Sequence, residues 1–176
     1  ISLVYSDDPT NPDAWYWPQV GEPAVPAGPV IANAIAPHLI EHNGTWYIFY
    51  GDRSRTSSNG STGRPISVAS SSSVSGPYTY LQEALPAGLP GTWESYRVDE
   101  PYVFQRSDGK WIMMYMAETG VLDEQVGYAI ADNLLGPYSK YTGNPCLAFD
   151  GTSFDAGTIA DPWVYEFKGV YYIGYT

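Results

Sequence analysis

Two carboxylates occupy the same short phrase, each directly ahead of a proline: Glu100 in Asp99-Glu100-Pro101 and Asp161 in Ala160-Asp161-Pro162. Ungapped alignment of 93–101 with 154–162 also matches Trp93 to Phe154 and Glu94 to Asp155. An earlier copy of the phrase, around Pro37, carries Ala36 at the equivalent position. The local structure therefore accepts a methyl group there, and nothing in the chain path demands an acid. Two carboxyl groups that converge across a cleft can protonate a leaving oxygen and steer charge on the opposite side, which is the chemistry of glycosidic bond cleavage. The plainer alternative is that an acid before a turn proline only caps a loop. We assign Glu100 and Asp161 as the candidate catalytic pair.

Around this pair stand supporting candidates, each with a structural alternative. Glu94 and Asp155 either bind sugar hydroxyls at the rim or pin their loop to the sheet. Asp99 takes the role of Glu100 if the register slips by one residue. Arg97 holds a carboxylate or a substrate hydroxyl, or is an ordinary solvated loop arginine. The residues after the three prolines, His38, Tyr102 and Trp163, are all planar, which suits stacking on a sugar ring and equally suits packing between sheets. His38 and His42 have no Cys or His cluster at ligand spacing, which argues against zinc. Neither a glycine-rich phosphate loop nor a nucleophile elbow occurs.

The elements that must position these groups are repeated. Residues 36–50 (APHLIEHNGTWYIFY), 100–115 (EPYVFQRSDGKWIMMY) and 161–175 (DPWVYEFKGVYYIGY) share one pattern. A second phrase alternates with it, ISVASSSSVSGPYTYL at 66–81 and VGYAIADNLLGPYSKY at 126–141. Repeats of roughly 60 residues holding several strands each are the sequence form of β-propeller blades. In the first blade the pattern predicts strands at His38–His42, Thr45–Tyr50, Ile66–Ser71 and Tyr78–Leu81, with a hairpin at Asn43-Gly44. The second blade is predicted at Tyr102–Arg106, Lys110–Tyr115, Val126–Ala131 and Tyr138–Tyr141. The third copy, from Trp163, ends after two strands, and 1–6 with Trp15–Gln19 supply two outer strands. Residues 51–65, 82–99 and 142–160 read as loops whose ends approach the propeller axis.

The expected organisation is therefore one partial domain over 1–176. Residues 1–35 give outer strands and a loop, 36–99 a blade, 100–160 a blade and 161–176 inner strands. Such an arc leaves sheet edges open, so it is completed either by further blades or by association with a second copy.

Composition bounds the rest. The chain has 176 residues, 15% aromatic and only 15% charged, with 18 Gly and 15 Pro, as an all-β protein with many turns would. A net charge of −11 argues against nucleic acid or an anionic membrane as partner. No stretch approaches the ~20 apolar residues of a membrane span. Cys146 is alone and cannot form an internal disulfide. The Ser-, Thr-, Gly- and Tyr-rich polar surface fits a secreted or periplasmic bacterial protein better than a cytoplasmic one.

At these residues the chain resembles the five-bladed β-propeller glycosidases: glycoside hydrolase family 43, with its arabinanases and β-xylosidases, and the β-fructosidase-like relatives. Ala36-Pro37-His38 is similar to the Ala-Pro-Asp phrase of that group. Val98-Asp99-Glu100-Pro101 resembles its Ile-Asp-Pro phrase, and Ala160-Asp161-Pro162 stands in the place of its Glu-Gly-Pro. The resemblance implies hydrolysis of an arabinoside, xyloside or fructoside in plant or microbial oligosaccharide. Asp161 would be the general acid, its pKa raised by burial and by Glu100, and Glu100 would be the modulator. The general base of the pattern lies in no matching phrase here; Asp7 and Asp8 follow a third strand and do not fit it. No cofactor is required, though a structural calcium in the channel is compatible with the fold. A non-catalytic carbohydrate-binding propeller, or a structural arc that recruits a partner by strand addition, is the alternative.

Overall fold

The computed structural model describes residues 33–149 and 157–176. The strands expected at 1–6 and 15–19, and Asp155, lie outside the described residues. Alternating residues in the repeat phrases produce ten strands and, among the described residues, no helix. The first sheet is formed by β1 (Ala34–His42), β2 (Thr45–Asp52), β3 (Ile66–Ser71) and β4 (Thr79–Leu85). The second is formed by β5 (Arg97–Gln105), β6 (Trp111–Glu118), β7 (Gln125–Ala131) and β8 (Ser139–Lys140). β9 (Trp163–Phe167) and β10 (Val170–Gly174) form a two-stranded sheet. In every sheet, neighbours in sequence are neighbours in space and run antiparallel, so this is an unclosed all-β propeller arc.

Period-2 alternation places the core between sheets. Trp111, Met113, Tyr115 and Ala117 of β6 face the first sheet, where they meet Phe49, Ile66, Val68 and Leu85. Ile112 and Met114 face the other way, toward Val164 of the third sheet and Tyr175 just beyond it. β6 is buried along its whole length because both of its faces are covered. β9 and β10 carry the same pattern, yet Trp163, Tyr165, Phe167, Val170, Tyr172 and Ile173 are exposed.

Several expected boundaries shift. β4 runs through Leu85, and β5 begins at Arg97, so both ends of the stretch expected as a loop at 82–99 are strand. β8 holds only two residues instead of the expected Tyr138–Tyr141. The Gly-Pro-Tyr phrases form matching corners in which the Tyr78 hydroxyl donates to the Val74 carbonyl and the Tyr138 hydroxyl to the Leu134 carbonyl.

One local feature recurs at the start of each inner strand. The pairing advances three residues on β1 from Ile35 to His38 while β2 advances two, from Gly51 to Phe49. Asp99 to Tyr102 against Met116 to Met114 repeats this. In the third sheet, Ala160 exchanges both backbone hydrogen bonds with Thr176 at 2.9 Å, and Trp163 pairs with Gly174. Each is a bulge containing one residue and its proline, which has no N–H to offer the ladder. The residue ahead of the proline is left-handed in all three: φ is +45° at Ala36, +52° at Glu100 and +48° at Asp161. Few non-glycine residues adopt this backbone, so three at equivalent positions mark a built feature.

Candidate active site

The three bulges converge. Ala36-Pro37-His38, Glu100-Pro101-Tyr102 and Asp161-Pro162 enclose a cavity of about 180 Å3 where the innermost strands approach one another. Here the sequence pair meets: the Asp161 backbone N–H donates to Glu100 Oε2 at 2.7 Å. The Asp161 carboxylate in turn accepts from the Thr176 hydroxyl at 3.0 Å. Ala36 leaves open the third position around the cavity.

The two carboxylates differ in environment, and not in the way the sequence suggests. Glu100 is half-buried, whereas Asp161 is exposed. Burial is the main cause that raises Glu100, up to about 7 from 4.5. The negative charges of Asp161, Asp99 and Glu124 add to it, and the hydrogen bond from Asp161 N–H opposes it. The sequence expectation places burial on Asp161, which is exposed here in a sheet of which the described residues supply two strands. Two complete sheets flank Glu100, while Asp161 enters a sheet of two strands.

Asp99 does not line the cavity. It is 1% exposed and turned to the opposite side of the bulge. Its Oδ1 accepts the Glu100 N–H at 2.9 Å, and its Oδ2 lies 3.2 Å from Arg97 and 3.7 Å from Arg53. Desolvation raises its pKa, against the Glu100 N–H and the two arginines. It packs on Gly51, where any Cβ would overlap its carboxyl group. Arg97 is no solvated loop residue: it binds Asp99, Glu118 and, at 2.9 Å, Glu124.

The planar residues separate. His38 and Tyr102 line the cavity and also pack on each other across the two blades, with ring centroids 4.6 Å apart. The Tyr102 hydroxyl donates to the Val164 carbonyl at 3.1 Å and so ties the second sheet to the third. Trp163 is not a cavity residue; its indole lies over Gly174 on the neighbouring strand. Glu94 is also elsewhere. It accepts from the Tyr115 hydroxyl at 3.0 Å and pairs with Lys140 at 2.9 Å, which are the contacts of a residue that pins its loop. Arg53, Glu118 and Glu124 were invisible to repeat comparison, because their partners are brought in from other turns of the chain. Among the described residues, no group of three or more His, Cys, Asp or Glu side chains could hold a metal ion.

Known proteins resemble this chain in sequence and in fold. The chain is 29% identical over 140 residues to the arabinan endo-1,5-alpha-L-arabinosidase A of Aspergillus niger, covering 77% of this chain and 38% of that protein. A thermostable family-43 glycoside hydrolase superposes with a TM-score of 0.67 at 22% identity, over 98% of this chain and 65% of the other. An endo-1,4-beta-xylanase of Bacteroides thetaiotaomicron gives 0.65 at 20% identity, over 97% and 55%. The chain thus spans less than two thirds of the length of each. These structural likenesses establish the propeller arc. The family profile matches residues 12–176, nearly the whole chain, and on that ground the chain belongs to the glycosyl hydrolases family 43.

Proposed function

We propose that this chain carries the proton-donating side of a glycosidase that cleaves arabinan-type linkages, with Glu100 as the acid. The observation that supports this reading most is the half-buried Glu100, raised to about 7 in a cavity open to a sugar. A carboxyl group with that value is about half protonated near neutral pH, as a general acid must be. Its Oε2 accepts the Asp161 N–H, so the proton sits on Oε1. Asp161 then acts as the modulator: its charge favours the protonated form of Glu100, and its amide fixes the rotamer. This exchanges the two roles implied by the sequence resemblance. A further carboxylate from another blade of the completed propeller would activate water. The arabinan preference rests on the Aspergillus niger relative; xylan and galactan linkages are the neighbouring choices, from the structural likenesses to an endo-1,4-beta-xylanase and an exo-beta-1,3-galactanase.

Glu100→Gln tests the assignment. Hydrolysis of arabinan should fall at least a hundredfold, about the contribution of a general acid. Aryl glycosides, whose leaving group departs unprotonated, should lose much less. Equal losses on both substrates, or none, would rule Glu100 out as proton donor. Ala36 favours a second reading, a carbohydrate-binding propeller without turnover, because one of three equivalent positions holds no acid. Arabino-oligosaccharide binding with no product after prolonged incubation of the assembled protein would select it.

A further inference from the structure

A second cavity, of about 380 Å3, lies behind the first and is lined by Arg53, Arg64, Tyr96, Arg97, Glu118 and Leu122 among others. One side chain separates the two: Asp99 receives the Glu100 N–H on one side and faces Arg97 and Arg53 on the other. The chain has eight Lys and Arg residues against 19 acids, and three of the eight (Arg53, Arg55 and Arg64) fall within twelve residues of one loop. That concentration needs a reason. Arg55 is occupied elsewhere, beside Asp52 at 3.3 Å and over the Tyr80 ring.

Arg53 and Arg64 are held in place by backbone. The Arg64 N–H donates to the Tyr96 carbonyl at 3.0 Å, and its own carbonyl accepts from Val98 N–H at 3.0 Å. Arg64 Nη1 then donates to the Arg53 carbonyl at 2.6 Å, locking one arginine to the other. Arg97 pairs with three carboxylates, Asp99, Glu118 and Glu124. The other two are less engaged. The Arg53 side chain is 41% exposed and only 3.7 Å from Asp99, and among the described residues no carboxylate pairs with Arg64. Both residues line the same cavity, and a guanidinium is the side chain best suited to bind a planar carboxylate. The three arginines balance Asp99, Glu118 and Glu124 in charge, so recognition would come from directed donors and not from a diffuse positive field. Tyr96, 46% exposed and backed by Gly120, offers a flat face beside them.

We propose that this cavity binds a uronic acid residue, a sugar that carries a carboxylate. That the bound acid is a sugar rests on the glycosidase reading; the binding of a carboxylate there does not. The test uses the whole chain carrying Glu100→Gln, so that binding is read without turnover. D-galacturonate and D-glucuronate are titrated against their methyl esters and against galactose 6-sulfate, followed by calorimetry and chemical shifts. One uronate should bind about tenfold or more tightly than its own ester, a difference of about 1.4 kcal/mol. Added Arg53→Gln or Arg64→Gln should each abolish that preference and leave the ester within about twofold. If Arg64→Gln does not fold, Arg64→Lys decides: it keeps the charge, loses the fork and should weaken the preference. Equal binding of acid and ester, a preference that survives the arginine changes, or tighter binding of the sulfate would each overturn the assignment. Full hydrolytic activity of Glu100→Gln would instead sink the proton-donor reading and leave this comparison standing.

Discussion

Glu100 and Asp161 occupy one backbone position in successive sheets and have opposite surroundings. Both precede a proline, both are left-handed, and both enter the same cavity. Behind Glu100 stands a layer of Asp99, Arg97, Glu118 and Glu124, of which Asp99 and Glu118 are buried. Behind Asp161, among the described residues, stands the Thr176 hydroxyl, at the entrance to a two-stranded sheet. Identical backbone geometry therefore does not set a carboxyl group's chemistry. What lies one layer deeper sets it, by deciding how much water the group keeps.

The largest expected effect separates the two directly. Glu100→Gln should reduce arabinan hydrolysis by a hundredfold or more, and Asp161→Asn by about tenfold or less. With Asp161→Asn the pH at which activity falls on the alkaline side should move down, because a negative charge that favours protonated Glu100 is gone. A reversed order of the two losses would return the acid role to Asp161.

Next comes the layer behind. Arg97→Met strands three carboxylates in a buried setting and should cost about 3–5 kcal/mol in denaturant unfolding. The counterpart behind Asp161, Thr176→Val, removes a single exposed hydrogen bond and should cost about 1 kcal/mol or less. Similar losses in the two variants would abolish the contrast. Gly51→Ala probes the same layer more gently. Its methyl must displace the Asp99 carboxyl from between the arginines, which should cost about 1–3 kcal/mol and lower the pKa of Glu100 as water enters.

A further effect is on stability against pH. Glu100 rises from 4.5 to about 7 on folding, so the native state holds more protons across that window. Its contribution is complete below pH 4.5 and is lost as pH climbs through 7. Urea midpoints measured from pH 4.5 to 7.5 should show this decline in the parent protein and a flatter course in Glu100→Gln. An unchanged slope would mean that Glu100 keeps its water.

The repeat made much of this arc readable in advance. β3 begins and ends where the sequence predicts; of the three aromatic strands expected as core, Trp46–Tyr50 and Trp111–Tyr115 are, whereas Tyr171–Tyr175 is exposed or half-buried. Comparing copies also isolated the cavity, since Ala36, Glu100 and Asp161 all line it. The bulge was not legible: a proline in the phrase announces a missing donor, but not the left-handed residue ahead of it. Burial was not legible either, because it depends on how many strands cover each position. Thr79–Leu85 reads as half polar and was assigned partly to a loop, though its exposed residues simply face outward from an outer strand. Arg97 needs Glu118 and Glu124, and Glu94 needs Tyr115 and Lys140, pairings set by sheet stacking rather than by any local spacing.

The left-handed residue before each proline has a consequence for how such a chain changes over generations. Its side chain leaves the sheet altogether, so its identity contributes little to whether a blade forms. A methyl, a longer acid and a shorter acid fill the three sockets of this arc, and φ in each lies between +45° and +52°. Reactivity here is interchangeable hardware on a fixed mount: a single codon can add or delete a charge at the mouth of the channel without renegotiating the architecture that holds it.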